Sequence, residues 1–361
     1  MKVLAINLPQ FHEIEENNEW WGKGFTEWTN IKKDNKFSDK LRPYNDNYYD
    51  MLDKQTLEWQ CDLASQYGID GFCYYHYWFE GKKLLEKPVE NLLKWKDIKQ
   101  NFCFYWANHS WKRSWQGKSE ILVEQTYGDE TSWREHFDYL LPFFQDERYI
   151  KIDNKPIFII FDPVFDEKDS IIEFFNKMAI ENGFDGVFFI ETINNLGKIQ
   201  KVSNKADAIY VREPSYSENQ YIYDKKHIVE RAINKVFRVI NNKIKIKQLV
   251  TTYNGNKLRK NAEKVYDMLP QNNKYIYGGY TMWDNTYRHN ERGYKITKPT
   301  AKMFQKHFAY ILQKNEENTG ITIINAWNEW CEGMILEPDA DNGYFFLENI
   351  KKVIEEQNSG K

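Results

Sequence analysis

The chain has 361 residues, with 50 Lys and Arg set against 53 Asp and Glu, a formal charge of −3 and a pI near 6.2. That balance argues against nucleic acid as a partner, because readers of the phosphate backbone carry a strongly basic footprint. Aromatic residues are 17% of the chain, which excludes a disordered polypeptide, since such chains lack the apolar surface whose burial offsets the entropy of folding.

The first element in chain order is the apolar run Val3–Leu8, stopped by Pro9. It is too short for a secretion signal, and no small-residue cleavage site follows. The longest apolar stretch, Ile157–Phe161, falls far below the ~20 residues that cross a bilayer. No transmembrane segment is expected, and the cytoplasm is the expected location. Cys61, Cys73, Cys103 and Cys331 form no CxxC pair and no metal-like spacing, which fits a reducing compartment.

A near-repeat organises the next part of the chain. Gly68-Ile69-Asp70-Gly71-Phe72-Cys73-Tyr74-Tyr75 resembles Gly183-Phe184-Asp185-Gly186-Val187-Phe188-Phe189-Ile190. A helical pattern precedes each copy: Leu57, Cys61 and Ala64 before the first, and Ile171, Phe174, Phe175, Met178 and Ala179 before the second. Gly68 and Gly183 stand where a left-handed helix C-cap belongs. Asp-Gly then turns each chain into a continuous apolar strand of the kind buried on both faces. Further strands are predicted at Phe102–Trp106, Ile157–Phe161, Ala208–Val211, Tyr277–Met282 and Thr322–Asn325, and late helices at His227–Ile240 and Pro299–Leu312. With Val3–Leu8 and the two repeated strands, the strand count matches a closed (β/α)8 barrel. The run Gln248–Thr252 is surplus. We expect one α/β barrel domain over residues 1–361, with long loops at its C-terminal face; an open doubly wound sheet is the alternative. Neither GxGxxG after a strand nor GxxxxGK[ST] is present.

In such barrels chemistry sits in the loops after the strands' C-terminal ends. Those positions hold Trp20, Trp21 and Trp28 after the first strand, His76 and Trp78 after the second, and Asn108, His109 and Trp111 after the third. Glu191 and Glu213 follow later strands, then Trp283 and Asp284, and finally Asn328, Glu329 and Glu332. Aromatic faces stack on sugar C–H groups and polar side chains bind hydroxyls, so this rim suits a carbohydrate. Glu329 and Glu332 are three apart, and a helical turn there would face both into one cavity. Glycosidic-bond chemistry uses such a pair, one carboxyl protonating the leaving oxygen and the other assisting at the sugar. The plain structural alternative is that one of them pairs with Arg288. Arg212-Glu213 reads as a structural ion pair. No HxH or HExxH supports a metal site at His76 and His109, and no metal or cofactor is expected.

The stretch Ile324-Asn325-Ala326-Trp327-Asn328-Glu329-Trp330-Cys331-Glu332-Gly333, followed by Leu336-Glu337-Pro338-Asp339, resembles the WbsX-like group. So do Leu8–His12, Trp20–Trp28, Gly71–Phe79, Trp106–Asn108 and Trp283–Thr286. Those proteins belong to bacterial surface-polysaccharide loci and are related to glycoside hydrolase family 99, the endo-α-mannosidases. The resemblance implies a (β/α)8 barrel and an oligosaccharide or polysaccharide substrate. Family 99 enzymes carry Asn-Glu-Trp-His-Glu-Gly, and Asn328–Gly333 matches it with Cys331 in place of His. It implies Glu332 as general acid/base, and Glu329 as the base that draws the sugar's 2-hydroxyl onto its own anomeric carbon. The pKa of Glu332 is accordingly expected above that of Glu329. Two other readings stand beside this one. A glycosyltransferase of polysaccharide biosynthesis, using a sugar-nucleotide or lipid-linked donor, would employ Asp339-Ala340-Asp341 as a DxD motif. A glycan-binding barrel would have no catalysis.

Overall fold

Nine parallel strand segments form the central sheet of the computed structural model, which describes residues 1–33, 35–113, 120–223, 228–271 and 274–359. They are β1 (Lys2–Asn7), β2 (Gly71–Phe79), β3 (Phe102–Trp106), β4 (Lys155–Ile160), β5 (Phe188–Ile193), β6 (Ala208–Val211), β7 (Tyr275–Tyr277), β8 (Gly279–Tyr280) and β9 (Ile321–Asn325). Neighbours run β7-β6-β5-β4-β3-β2-β1-β9-β8. β7 and β8 stand at opposite ends of that path yet are parted in sequence by Gly278 alone, so the sheet closes and the nine segments make eight staves. A Cβ at Gly278 would come 2.6 Å from the Val211 carbonyl oxygen, so the stave passes β6 there only as glycine. Closure excludes the open doubly wound alternative.

The lumen is filled with tyrosines. Tyr75 and Tyr105 lie opposite each other in the β2–β3 register and stack at 5.2 Å. Tyr105 also meets Tyr210 of β6 at 6.2 Å, a contact between non-adjacent staves that only the barrel interior allows. Its hydroxyl bonds Thr192 Oγ1 at 3.0 Å, so the buried phenol keeps a polar partner.

Helices flank the ring: α1 (Glu15–Trp21), α2 (Glu27–Ile31), α3 (Lys54–Gln66), α4 (Lys87–Lys94), α5 (Glu130–Phe144), α6 (Lys168–Glu181), α7 (Ser215–Tyr223), α8 (Ile228–Ile244), α9 (Gly255–Tyr266), α10 (Thr286–His289), α11 (Ala301–Glu316) and α12 (Phe345–Ser359). The repeat is real: α3 and α6 end at Gly68 and Gly183, with φ of +79° and +88°, a conformation glycine adopts without Cβ strain. α8 covers most of its predicted range, although His227 lies outside the described residues. α11 starts at Ala301 instead of Pro299, because Thr300 caps it by accepting from Met303 N. The surplus run contributes Thr251–Tyr253 to a small sheet with Tyr294–Ile296 and Trp283–Asp284, apart from the barrel. No helix among the described residues is long and apolar enough to cross a membrane.

Candidate active site

The chain leaves β9 into a tight hairpin that sets the two carboxylates. Asn328 and Glu329 pair antiparallel with Ile335 and Met334. Between them Trp330–Glu332 winds as a 3-10 turn, and Gly333 at φ +61° reverses the chain. Side chains three apart eclipse in 3-10 geometry, so Glu329 and Glu332 fall on one side and line the same cavity of 360 Å³. The hairpin is pinned from behind. Asn328 Oδ1 accepts from Leu8 N at 2.7 Å, and its Nδ2 donates to Leu8 O and to the Tyr49 hydroxyl. Glu337 accepts from Trp330 Nε1 at 2.7 Å, Gln60 Nε2 at 2.8 Å and Tyr49 OH at 3.0 Å. These ties join the carboxylate hairpin to the end of β1 and to α3, which fixes it on rigid elements.

Arg288, just inside α10, holds the acidic cluster. Its Nη1 lies 2.9 Å from Glu332 Oε1, and its Nη2 lies 3.5 Å from Glu329 Oε2 and 3.1 Å from Glu27 Oε1. Glu27, fully buried, also accepts from Cys331 N at 3.0 Å. One guanidinium thus faces three carboxylates, an excess of negative charge that favours a bound proton. Burial pushes Glu329 up to about 8, with the Glu332 charge adding to it and Arg288 opposing. Glu329, with 7% of its side chain exposed against 16% for Glu332, is the deeper of the two, and its burial favours the protonated form near neutrality. Desolvation acts on the deeper group.

A profile for the family described as Glycosyltransferase WbsX matches residues 3–350. The chain belongs to the WbsX family. It is 27% identical over 365 residues to the WxcX protein of Xanthomonas campestris pv. campestris (strain B100), a match that takes in 98% of this chain and 49% of that protein. WxcX of strain ATCC 33913 is 27% identical over 366 residues with the same coverage. The chain therefore spans about half the length, 49%, of the curated relatives it matches. In fold it is similar to the family GH99 endo-α-mannosidase from Bacteroides thetaiotaomicron, with TM-score 0.57 and 12% identity over 99% of this chain and 97% of that one. A glycoside hydrolase-like protein gives TM-score 0.59 and 11% identity over 98% and 93%. At such identities the likeness is one of fold.

In this WbsX-family chain the other residues singled out from sequence divide sharply. Trp21, His109 and Trp111 line the cavity with the carboxylates. Trp20 packs edge-on against Trp111 at 5.8 Å and lines an adjoining cavity of 410 Å³, which shares Trp21 and Arg288 with the first. The remaining positions stand in the framework. β2 runs on to Phe79 instead of ending at Tyr75, so alternate side chains face opposite ways. Tyr75 and Tyr77 reach the cavity, while His76 and Trp78 turn outward onto His136 of α5, at 2.9 Å between ring nitrogens and 4.6 Å between stacked rings. Trp28 sits among Phe11, Tyr49 and Trp330 in the core. Asn108 braces Asp162 by a backbone exchange at 2.8 Å. Glu191 is buried on Lys168 at 3.2 Å, and Glu213 on Ser217 and Tyr266. Trp283 stacks on Tyr294 at 5.7 Å, and Asp284 pairs with Lys295 at 2.9 Å.

Sequence reasoning missed Glu27, Tyr75, Tyr77 and Arg212 as parts of the site. Glu27 was visible inside the Trp20–Trp28 run, and strand alternation would have found the tyrosines. Arg288 was named only as the partner of one Glu; it holds both. The Arg212–Glu213 ion pair does not form, because the two side chains leave the end of β6 in different directions. Cys331 is fully buried and its Sγ lies 3.5 Å from the Glu27 carbonyl oxygen; burial pushes its thiol up, and it is absent from the cavity wall. In Asp339-Ala340-Asp341, Asp339 accepts from Asp341 N and Asn342 N, both at 2.9 Å, and so caps its own turn.

Proposed function

We propose that this barrel acts as an enzyme on a glycosidic bond of a bacterial surface glycan, with Glu329 and Glu332 as the reacting pair. The observation that carries the reading is the pair itself: two carboxylates held by one guanidinium against a cavity walled by Trp21, Tyr75, Tyr77 and Trp111. In the first step Glu329 takes the proton of the sugar's 2-hydroxyl as that oxygen bonds to the anomeric carbon. The bond to the leaving oxygen breaks, and the departing oxygen takes the proton of Glu332. Water or an acceptor hydroxyl then adds at the anomeric carbon, giving its proton to Glu332, while Glu329 returns a proton to O2. Two inversions leave the configuration retained. The cycle needs one proton on the pair at all times, which the excess of negative charge around Arg288 favours. Burial favours that proton on Glu329; a sugar 2-hydroxyl donating to Glu329 would favour its ionised form and leave the proton to Glu332.

Glycosyl transfer is the second reading, favoured by the adjoining cavity lined by Trp20, Trp21 and Phe25, where an acceptor would lie. The DxD route is weaker, since Asp339 spends its oxygens on its own loop. Mass spectrometry of products from α-mannosides, surface glycans and sugar nucleotides tests these readings. We expect cleavage or transfer by a retaining route, unaffected by chelator, and a loss of about 10²–10⁴-fold in Glu329→Gln and Glu332→Gln. Wild-type rates in either variant remove the pair from the mechanism, and activity lost to chelator and restored by a divalent metal moves it to a metal-dependent transferase.

A further inference from the structure

Arg212 takes no part in the chemistry above, yet it lines the same cavity. It directly follows β6, and the next residue, Glu213, turns away to accept from Ser217 Oγ at 2.6 Å and Tyr266 OH at 2.8 Å. The adjacent carboxylate therefore makes no ion pair with it, and the negative charge that acts on it is that of Glu332, in the same cavity but not in contact. The guanidinium lies 5.0 Å from the centroid of Phe161, and Nε is buried with no hydrogen-bond partner. Among the described residues no carboxylate contacts it: Asp162, which follows β4, is taken by Lys198 at 3.2 Å. Arg288, by contrast, is in ion-pair contact with three carboxylates. His109 beside Phe161 adds no charge, since burial and the Arg212 charge push it down to about 4. Lys112 lines the same cavity, and among the described residues it too makes no ion pair. This part of the cavity thus presents two cations with no acid in contact.

Removing a guanidinium from water costs free energy that an opposite charge or a full set of hydrogen bonds must offset. Phe161 offers a ring face, which supplies part of that compensation and leaves the hydrogen-bonding fork unused. A carboxylate or phosphate fits such a fork with two parallel charge-assisted bonds, and neutral hydroxyls do not. We propose that the sugar received beside the carboxylate pair carries an anionic group, a carboxylate or a phosphate ester, and that Arg212 binds it with Lys112 assisting. The adjoining cavity extends the preference: Lys33 and Lys36 line it, with no acid among its described lining residues. This rests on the reading that the cavity holds the reacting sugar.

Binding, not turnover, is the test, so an inert carboxylate pair and a wrong anion assignment give separate results. Calorimetry on the whole chain would compare hexuronates, their carboxyl-reduced hexoses and hexose 6-phosphates, at low and at high salt. The expected result is that one acidic class binds about tenfold or more tightly than its neutral counterpart, with an advantage that shrinks in salt. The hexuronate and phosphate arms tell which anion is taken. Arg212→Gln should lower acidic-sugar affinity about tenfold more than neutral-sugar affinity, with Arg212→Lys between them. The proposal is overturned if no acidic sugar binds better than its neutral counterpart, or if Arg212→Gln weakens both classes alike, as a hydroxyl-binding arginine would. The wild-type comparison decides the matter even where a variant fails to fold.

Discussion

Arg288 touches Glu27, Glu329 and Glu332 from one guanidinium, so changing it acts on the electrostatics of the proposed reacting pair. Its charge opposes the burial that raises Glu329, and removing a cation in contact with two carboxylates favours the proton-bound forms of the pair. A pH–rate profile of Arg288→Met should therefore move both limbs of its bell toward higher pH, with a smaller shift in Arg288→Lys; unmoved limbs would separate Arg288 from the pair's electrostatics. The division of roles is testable at the same positions. Glu332→Gln should cripple substrates with poor leaving groups and spare activated aryl glycosides, whose departure needs little protonation. Glu329→Gln should damage both, since assistance at the sugar is required whatever departs. Equal losses on both substrate types in both variants would refute that assignment.

At the scale of the element, the hairpin Asn328–Ile335 converts a three-residue spacing into a shared cavity face. Gly333 makes the reversal possible: its φ is +61°, and a Cβ there would stand 2.9 Å from the Asp284 backbone nitrogen. Gly333→Ala should cost roughly 1–2 kcal/mol for the left-handed conformation, with additional loss from the contact. Its kcat should fall by more than its melting temperature suggests, because Glu332 is displaced directly. A variant with unchanged kcat and melting temperature would show that the turn relaxes freely. α8 teaches a different lesson. Its periodicity marks a helix, yet Val229, Ile233, Val236, Ile240 and Ile244 are all exposed, while Asn241 is fully buried and accepts from Ile246 N at 2.6 Å. Periodicity identifies an apolar stripe, and only the packing decides which side of the helix meets the body of the protein.

Over the whole molecule, buried titratable groups set the pH range of stability. Glu191, Glu218 and Glu337 are pushed up to about 7 by burial, and Glu329 to about 8. Each native pKa exceeds its unfolded value, so their contribution is complete below about pH 4.3 and is lost as pH rises through 7 and 8. The buried His76 and His307 are lowered to about 3, and His136 well below its usual value. Buried neutral histidines act oppositely, adding stability as pH rises toward about 6.5. The two sets oppose each other between about pH 5 and 6, and above about 6.5 the histidine contribution is complete while the carboxyl contribution is still being lost. Differential scanning calorimetry should find a melting temperature that falls from about pH 6.5 to 8.5, less steeply in Glu329→Gln. A melting temperature that rises over that interval would contradict the assignment.

The eight staves, the repeated Gly-capped helices, the Trp-rich rim and the Glu329/Glu332 spacing were legible in the residues, because strand burial, helix capping and short-range spacing are local properties that a linear chain displays. Side-chain direction at the rim was not. With β2 ended at Tyr75, residues 76–78 read as loop; because the strand runs on to Phe79 its side chains alternate, so Tyr77 faces the cavity and His76 and Trp78 face away. Glu213 stands just past β6 as expected, whereas Glu191 lies inside β5, which runs on to Ile193; their partners Lys168, Ser217 and Tyr266 come from helices whose docking no spacing rule specifies. The meeting of Glu27, Arg288 and the carboxylate pair joins residues 261 positions apart. That charge balance, and with it which carboxyl keeps the proton, exists only once the barrel closes and brings the loops after its first and last staves together.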